Sequence, residues 1–334
     1  VYAAVVPHGD FVADPSLLPA GHRPRAQAEE LHHCAQDVAK KFQSLSIDTI
    51  VLITPHGMSM DADTAVYLGK KGSGCAHIGR DAGRSGWRLR LEDLELDGTV
   101  ATELRDTLRH NSDKVSGLTS FGGYEDVPLR YGEIIPLSFF LDAMESEGED
   151  GWVKIGREVV DNHLDERGLD SKSLSFLPNR PRCVIISLPN RRYEEGPSMV
   201  DEMVQLGGDL LHFIESSSSL KERRVAILVS ADLAHTHQES GPYGYSPAAQ
   251  PFDDACAEWA RTLDGLPLLE KARNLLDQAK SCGYLGLVIL HGVLVSLVSK
   301  ESNNGIDTGA WDCQLHSISH PTYYGMMVAS YSRR

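Results

Sequence analysis

The sequence predicts an α/β fold: a mostly parallel central sheet with helices on both faces and the active site at the strand carboxyl ends. Three observations carry this. Four apolar runs stand out, at 1–6 (VYAAVV), 49–53 (TIVLI), 183–188 (CVIISL) and 224–229 (RVAILV). They are nearly continuous rather than alternating, as for strands buried on both faces. Helix-like stretches lie between and after them, and strands alternating with helices imply a parallel sheet covered on both sides. Finally, the apolar runs lead into turns that carry histidine, aspartate or asparagine, and open α/β sheets bind ligands outside the carboxyl ends of their strands.

The elements follow in order. After the first strand, residues 25–42 carry Leu31, Val38 and Phe42 among charges, a helical pattern. The second strand follows at 49–53. Residues 70–86, rich in Gly, Ser and Arg, read as a loop. After the strand at 183–188, residues 199–214 carry Val200, Met203, Val204, Leu210 and Leu211 at helical spacing. The strand at 224–229 is followed by a second loop at 241–250 (GPYGYSPAAQ), and loops like these two commonly shape a pocket over a rigid scaffold. Three more helices are expected at 253–263, 266–279 and 283–299. Residues 145–150 and 216–219 read as solvated turns. No repeat or long linker breaks the chain, so a single domain over 1–334 is expected.

Composition narrows the function. A net charge of −15 argues against a nucleic-acid binder, because phosphates would be repelled. It leaves room for a small anionic substrate held by local arginines. The six cysteines are scattered and none forms a C-x-x-C pair, so neither a zinc knuckle nor a disulfide framework is expected. This reads as a reducing, cytoplasmic setting. No signal peptide is visible before the first strand. Residues 284–298 are apolar but too short to span a membrane, and His291 interrupts them. A buried central helix is the better reading.

The chemistry gathers at the strand ends. The first strand runs into Pro7-His8-Gly9-Asp10 and the second into Pro55-His56-Gly57. The strand at 224–229 runs into Ala231-Asp232-Leu233-Ala234-His235, and the one at 183–188 into Pro189-Asn190. Three strands thus deliver a histidine to one sheet edge, and imidazole is both the commonest metal ligand and the commonest acid/base near neutral pH. Proline stops each strand, and the following glycine lets backbone approach a bound group closely. Asp232 either orients His235 or caps the turn. Asn190 is a candidate pocket residue, and Arg191 and Arg192 either hold an anionic group or lie on the solvated surface. His32, His33 and Cys34 lie on a helix without sharing a face and read as surface or core packing. His237 reads as structural.

Five segments, VPHGD, ITPHG, SADLAH, AKSCGYLGLVILHGVL and HPTYYGMMVASY, resemble in order those of the LigB-type superfamily, which holds the class III extradiol ring-cleaving dioxygenases and the MEMO-type proteins. The resemblance covers residue 1 to about residue 331. It implies a LigB-like dioxygenase domain in which His8 and His56 bind Fe(II) and His235 is the acid/base. The family's third ligand is a glutamate in a Ser-Glu-Gly segment at a helix start. Here Cys282 takes that place, as in MEMO-type proteins. A thiolate supplies the same charge but is softer, which admits Cu or Zn. A helix start and a nearby cation are expected to lower its pKa. Glu270 or Asp277 becomes the carboxylate ligand instead if the helix boundary is off by a turn. Arg130-Tyr131 replaces the Asp-His pair of several family members, so Tyr131 is expected either to bind substrate or to cap a buried segment. His320 is a pocket candidate on family grounds.

The resemblance therefore implies an Fe(II) dioxygenase that opens a catechol-like or aminophenol-like aromatic with O2 as co-substrate, and a homodimer is plausible. The alternative is a MEMO-like metal-binding or redox protein without ring-cleaving activity. A zinc hydrolase on His8, His56 and Cys282 is a weaker third reading.

Overall fold

The structure is a computed structural model and describes residues 1–79, 87–120, 125–145, 156–159, 181–303 and 311–333. The strands are β1 (Tyr2–Val6), β2 (Thr49–Thr54), β3 (Thr64–Tyr67), β4 (Lys71–Ile78), β5 (Trp87–Glu95), β6 (Val115–Leu118), β7 (Val127–Leu129), β8 (Gly156–Val159), β9 (Arg182–Ser187), β10 (Val225–Ser230), β11 (Trp311–Ser319) and β12 (Met326–Arg333). The helices are α1 (Asp10–Ala13), α2 (Arg23–Ser44), α3 (Gly98–Asn111), α4 (Tyr131–Glu145), α5 (Arg192–Glu195), α6 (Val200–Ser216), α7 (Ala249–Thr262), α8 (Arg273–Ala279) and α9 (Tyr284–Asn303).

The four apolar runs of the sequence are the four adjacent central strands of an eight-stranded sheet with the order β11-β12-β1-β10-β2-β9-β3-β6. The pairs β1–β10, β10–β2 and β2–β9 are parallel, in registers that include Val6 with Ser230 and Val229 with Ile53. The flanks mix in antiparallel pairs: β12 against β1, β11 against β12, and β3 against β9. Alternate residues of each central strand feed two cores, since side chains point to opposite faces with a period of two. Ala3, Val5, Val51 and Ile53 pack with α3, α6, α7 and α9. Ala4, Val6, Ile50 and Leu52 pack with α2 and α4. The sheet is thus covered on both faces, as the continuous apolar runs require.

Two expectations are corrected. Residues 70–86 were expected to form a loop, but Lys71–Ile78 is a strand. It lies in a second sheet, β7-β4-β5-β8, whose Ala76, Ile78, Leu89 and Leu91 join the core on the α4 side. Residues 80–86 of that stretch, and residues 146–150 of the turn expected at 145–150, lie outside the described residues. The helix expected at 266–279 is α-helical only over Arg273–Ala279, and Pro267–Ala272 winds as a wider π-helix. The apolar stretch at 284–298 falls in α9, where Leu287, Val288, Ile289 and Leu290 are all fully buried. Burial all round explains its unpatterned hydrophobicity. Among the described residues, no helix is long and apolar enough to cross a membrane.

Candidate metal centre and its cavity

β10 lies between β1 and β2, so the three turns carrying His8, Asp232 and His56 leave the same sheet edge side by side. The ring centroids of His8 and His56 are 4.9 Å apart, edge to face. Cys282, two residues before α9, completes the group. One ligand atom each from His8, His56 and Cys282 lie within 4.8 Å of one another. Cys282 Sγ is 3.4 Å from His8 Nε2, close to the about 3.5 Å kept by two ligands at about 2.0–2.3 Å on a tetrahedral ion. The loop carrying Cys282 is tied to the turn of Asp232, whose carbonyl accepts from Ser281 Oγ at 3.0 Å and from the Gly283 N–H at 3.1 Å.

The proton positions follow from the hydrogen bonds. Ser230 Oγ donates to the Gly132 carbonyl at 2.6 Å, so it can only accept from His8 Nδ1, 2.8 Å away. His8 therefore carries its proton on Nδ1 and turns the Nε2 lone pair to the site. Asp232 Oδ2 lies 3.3 Å from that same Nε2, while Oδ1 accepts from the His8 backbone N–H at 3.2 Å. A ring nitrogen and a carboxylate oxygen thus lie side by side in a buried place, next to the Cys282 thiol.

Burial lowers the pKa of every imidazole here. His8 sits well below its ordinary value, through burial first and then the neighbouring His56, His235 and Arg192. His56 is lowered to about 3 by burial, then by Arg192 and His235. Both rings are neutral at pH 7, the form that binds metal. Cys282 departs from expectation: its pKa is raised, not lowered. Burial pushes the thiol up and the Asp232 carboxylate adds to this, outweighing the pull of Arg192. Metal binding would displace this proton.

The site opens into a cavity of about 440 Å³ lined by His8, His56, Asp232, His235, Arg130, Tyr131, Tyr243, Tyr323 and Tyr324, with Asp10, Cys75 and His77 on another side. Tyr131 lies 5.0 Å from the His56 ring and 5.8 Å from that of His8. The His235 ring stacks on Tyr324 at 5.8 Å and meets Tyr243 and Tyr323 edge-on. Its Nδ1 donates to the Leu233 carbonyl at 2.8 Å, leaving Nε2 as an acceptor. Burial lowers its pKa to about 4 against the partial support of that bond. His235 is thus a neutral base at pH 7.

Other candidates are placed elsewhere. His235 is oriented by a backbone carbonyl, and Asp232, expected beside it or as a turn cap, presents its carboxylate to His8. Asn190 does not line the cavity. Its side chain bonds Ser59 and Asp61, because the turn after β9 hydrogen-bonds back to Met60 and Asp61. His320 is also absent from the lining and stacks flat on His237 at 4.0 Å. His237, read as structural, bonds Asp253 at 2.8 Å. Arg191 pairs with Glu202 and Glu195. Arg192 is buried and donates to the Leu188, Pro189 and Pro55 carbonyls. Neither arginine faces the cavity. Glu270 and Asp277 are exposed and outside the ligand group. The glycines after both histidines make room for protein, not for a bound group. A Cβ on Gly9 would strike the Tyr324 ring, and one on Gly57 would strike Tyr67 and Glu133. Sequence reasoning read the wall from β4 (Cys75, Ala76, His77) as a pocket-shaping loop and gave none of these residues a role. It singled out none of Tyr243, Tyr323 and Tyr324, although 241–250 was read as a pocket-shaping loop.

No protein-family model matches the chain, and no curated protein matches it. Over 98% of both chains it is similar to the crystal structure of an uncharacterized protein, JW3007, from Escherichia coli K12, at 14% identity and a TM-score of 0.44. Likeness at that level says nothing of function.

Proposed function

We propose that the chain binds one Fe(II) through His8, His56 and Cys282 and is an extradiol-type ring-cleaving dioxygenase acting on a catechol-like or aminophenol-like aromatic with O2. The observation that carries this is the ligand group, whose His8 and His56 line a tyrosine-walled cavity that also holds a neutral histidine. Two unprotonated imidazoles, a thiol and a facing carboxylate oxygen suit a divalent ion. When bound, the metal supplies charge for a phenolate and a route for electrons from ring to oxygen.

The chain's own residues do the rest. The cavity has room for a one-ring compound. Tyr131, Tyr243 and Tyr324 offer flat faces and edges to an aromatic ring. His235 Nε2 takes a proton from a substrate hydroxyl and later returns it, since its Nδ1 proton is held by Leu233. Arg130 places a positive charge at the cavity wall. The reaction cleaves a ring C–C bond beside the hydroxyl pair, and both oxygen atoms of O2 end in the product.

Cys282 favours a second reading, a MEMO-like metal-binding or redox protein without ring cleavage. A sulfur donor stands where the dioxygenases carry glutamate, and it shifts preference toward Cu(I) or Zn. The test is oxygen uptake by protein reconstituted anaerobically with Fe(II) and offered a panel of catechols and aminophenols, with bound metal measured in parallel. Stoichiometric uptake with a ring-opened product supports the dioxygenase. Full metal occupancy with no uptake across the panel removes it and leaves the second reading.

A further inference from the structure

The turns of His8 and His56 come from strands separated by β10, yet both are tied to one backbone atom. The carbonyl oxygen of Gly132, in the first turn of α4, accepts from Ser230 Oγ at 2.6 Å and from Thr54 Oγ1 at 3.1 Å. Both hydroxyls are fully buried. Each has spent its one proton on Gly132 and is left as an acceptor. Ser230 accepts from His8 Nδ1 at 2.8 Å, and Thr54 accepts from the His56 backbone N–H at 3.2 Å. Gly132 fits here because it lacks a side chain: a Cβ would lie 2.7 Å from His56 Cβ and 2.8 Å from Thr54 Oγ1.

A rival bond makes the arrangement consequential. With its proton on Nε2 instead, His8 would donate to Asp232 Oδ2, 3.3 Å away. That tautomer would block the nitrogen that faces Cys282. Ser230 and Asp232 therefore compete for the single proton of a neutral, buried imidazole. The Ser230 hydroxyl can compete only as an acceptor, because Gly132 takes its proton.

We infer that Ser230 and Thr54 are positioning residues of the metal centre, both anchored on the Gly132 carbonyl. Ser230 sets the tautomer of His8, and Thr54 sets the turn that presents His56. The inference rests on the metal-centre reading above. It goes beyond it by assigning the preorganisation of both histidine ligands to the start of α4, a segment that supplies no ligand. The histidine–hydroxyl–carbonyl relay is an outer partner of the kind that fixes ring orientation and ligand basicity.

The first test needs no metal. Proton–nitrogen correlation NMR of histidine-labelled, metal-free protein near neutral pH reads the tautomer of His8 directly. Wild type is expected to carry the proton on Nδ1. Ser230→Ala moves it to Nε2, and Ser230→Thr, which keeps the hydroxyl, restores it. Zinc affinity, by competition with a chromophoric chelator, is expected to fall by about 10- to 100-fold in Ser230→Ala, with Ser230→Thr close to wild type. Thr54→Val, similar in shape, lowers zinc affinity while leaving the His8 tautomer unchanged. A Ser230→Ala protein that keeps the Nδ1 proton and binds zinc as wild type does overturns the inference alone. Wild-type protein that binds no metal overturns the metal-centre reading beneath it.

Discussion

Replacing His235 by glutamine tests how deeply the proposed base is withdrawn from water. In the folded chain its pKa is lowered from an ordinary 6.5 to about 4, chiefly by burial. Between those values the unfolded chain binds a proton that the folded chain refuses. Stability therefore rises with pH through this window, and is lost as pH falls from about 6.5 toward about 4. At about 1.4 kcal/mol per pH unit, the gap amounts to about 3 kcal/mol. The ring is partly open to the cavity, which makes this an upper bound. Glutamine has no such proton, so the difference in unfolding free energy between wild type and His235→Gln isolates the effect. Urea unfolding of metal-free protein at a series of pH values reads it. The difference should be flat above pH 7 and should move by about 1–2 kcal/mol against wild type by about pH 5. Parallel curves over that range would falsify the account of His235 as a neutral, desolvated base, and with it the poise for proton abstraction at pH 7.

Three further outcomes follow from the same geometry. Cys282→Ser should weaken zinc binding by more than about a hundredfold, beyond the loss typical of an outer partner, as read by chelator competition; unchanged affinity would remove sulfur from the ligand set. Asn190→Ala should leave metal affinity and any oxygen uptake within about twofold of wild type, a span of about 0.4 kcal/mol, because its side chain bonds Ser59 and Asp61 away from the cavity. Leu210→Ala removes a fully buried side chain of α6 that packs in the α9-side core and should cost about 2–5 kcal/mol of unfolding free energy in urea, with zinc affinity of the folded protein unchanged.

The central sheet was legible because its strands are buried on both faces, which leaves a continuous apolar signature in 1–6, 49–53, 183–188 and 224–229. His8, His56 and His235 were legible for the same reason: each follows closely on such a run, and parallel neighbours put their ends together. The second sheet was not. β4 reads KGSGCAH, too rich in glycine and polar residues to suggest a strand, and its pairing with β5 is a contact that no local pattern announces. Cys75 and His77 were lost with it. Asn190 was misplaced because a strand end fixes an edge of the sheet but not the direction of the following turn. The raised pKa of Cys282 was missed because a helix start and a nearby cation were weighed without the cost of burying a thiolate. Thr54 and Ser230 are plain in the sequence as strand-terminal hydroxyls, but their joint acceptor, Gly132, is 78 and 98 positions away.

The placement of β1 has a consequence for synthesis. Its two neighbours in the sheet are β10 and β12, which follow it by two hundred residues or more and so are made long after it. The ribosome must therefore add about two hundred residues before the first strand gains either partner, and long-range pairing of this kind is slow and exposes apolar surface while it waits. The same timing governs the metal site. His8 is made well before the Ser230 that sets its proton, the Cys282 beside it and the Tyr323–Tyr324 wall. A nascent chain thus offers histidines without an organised centre, and the proposed metal capture becomes an event of the finished fold.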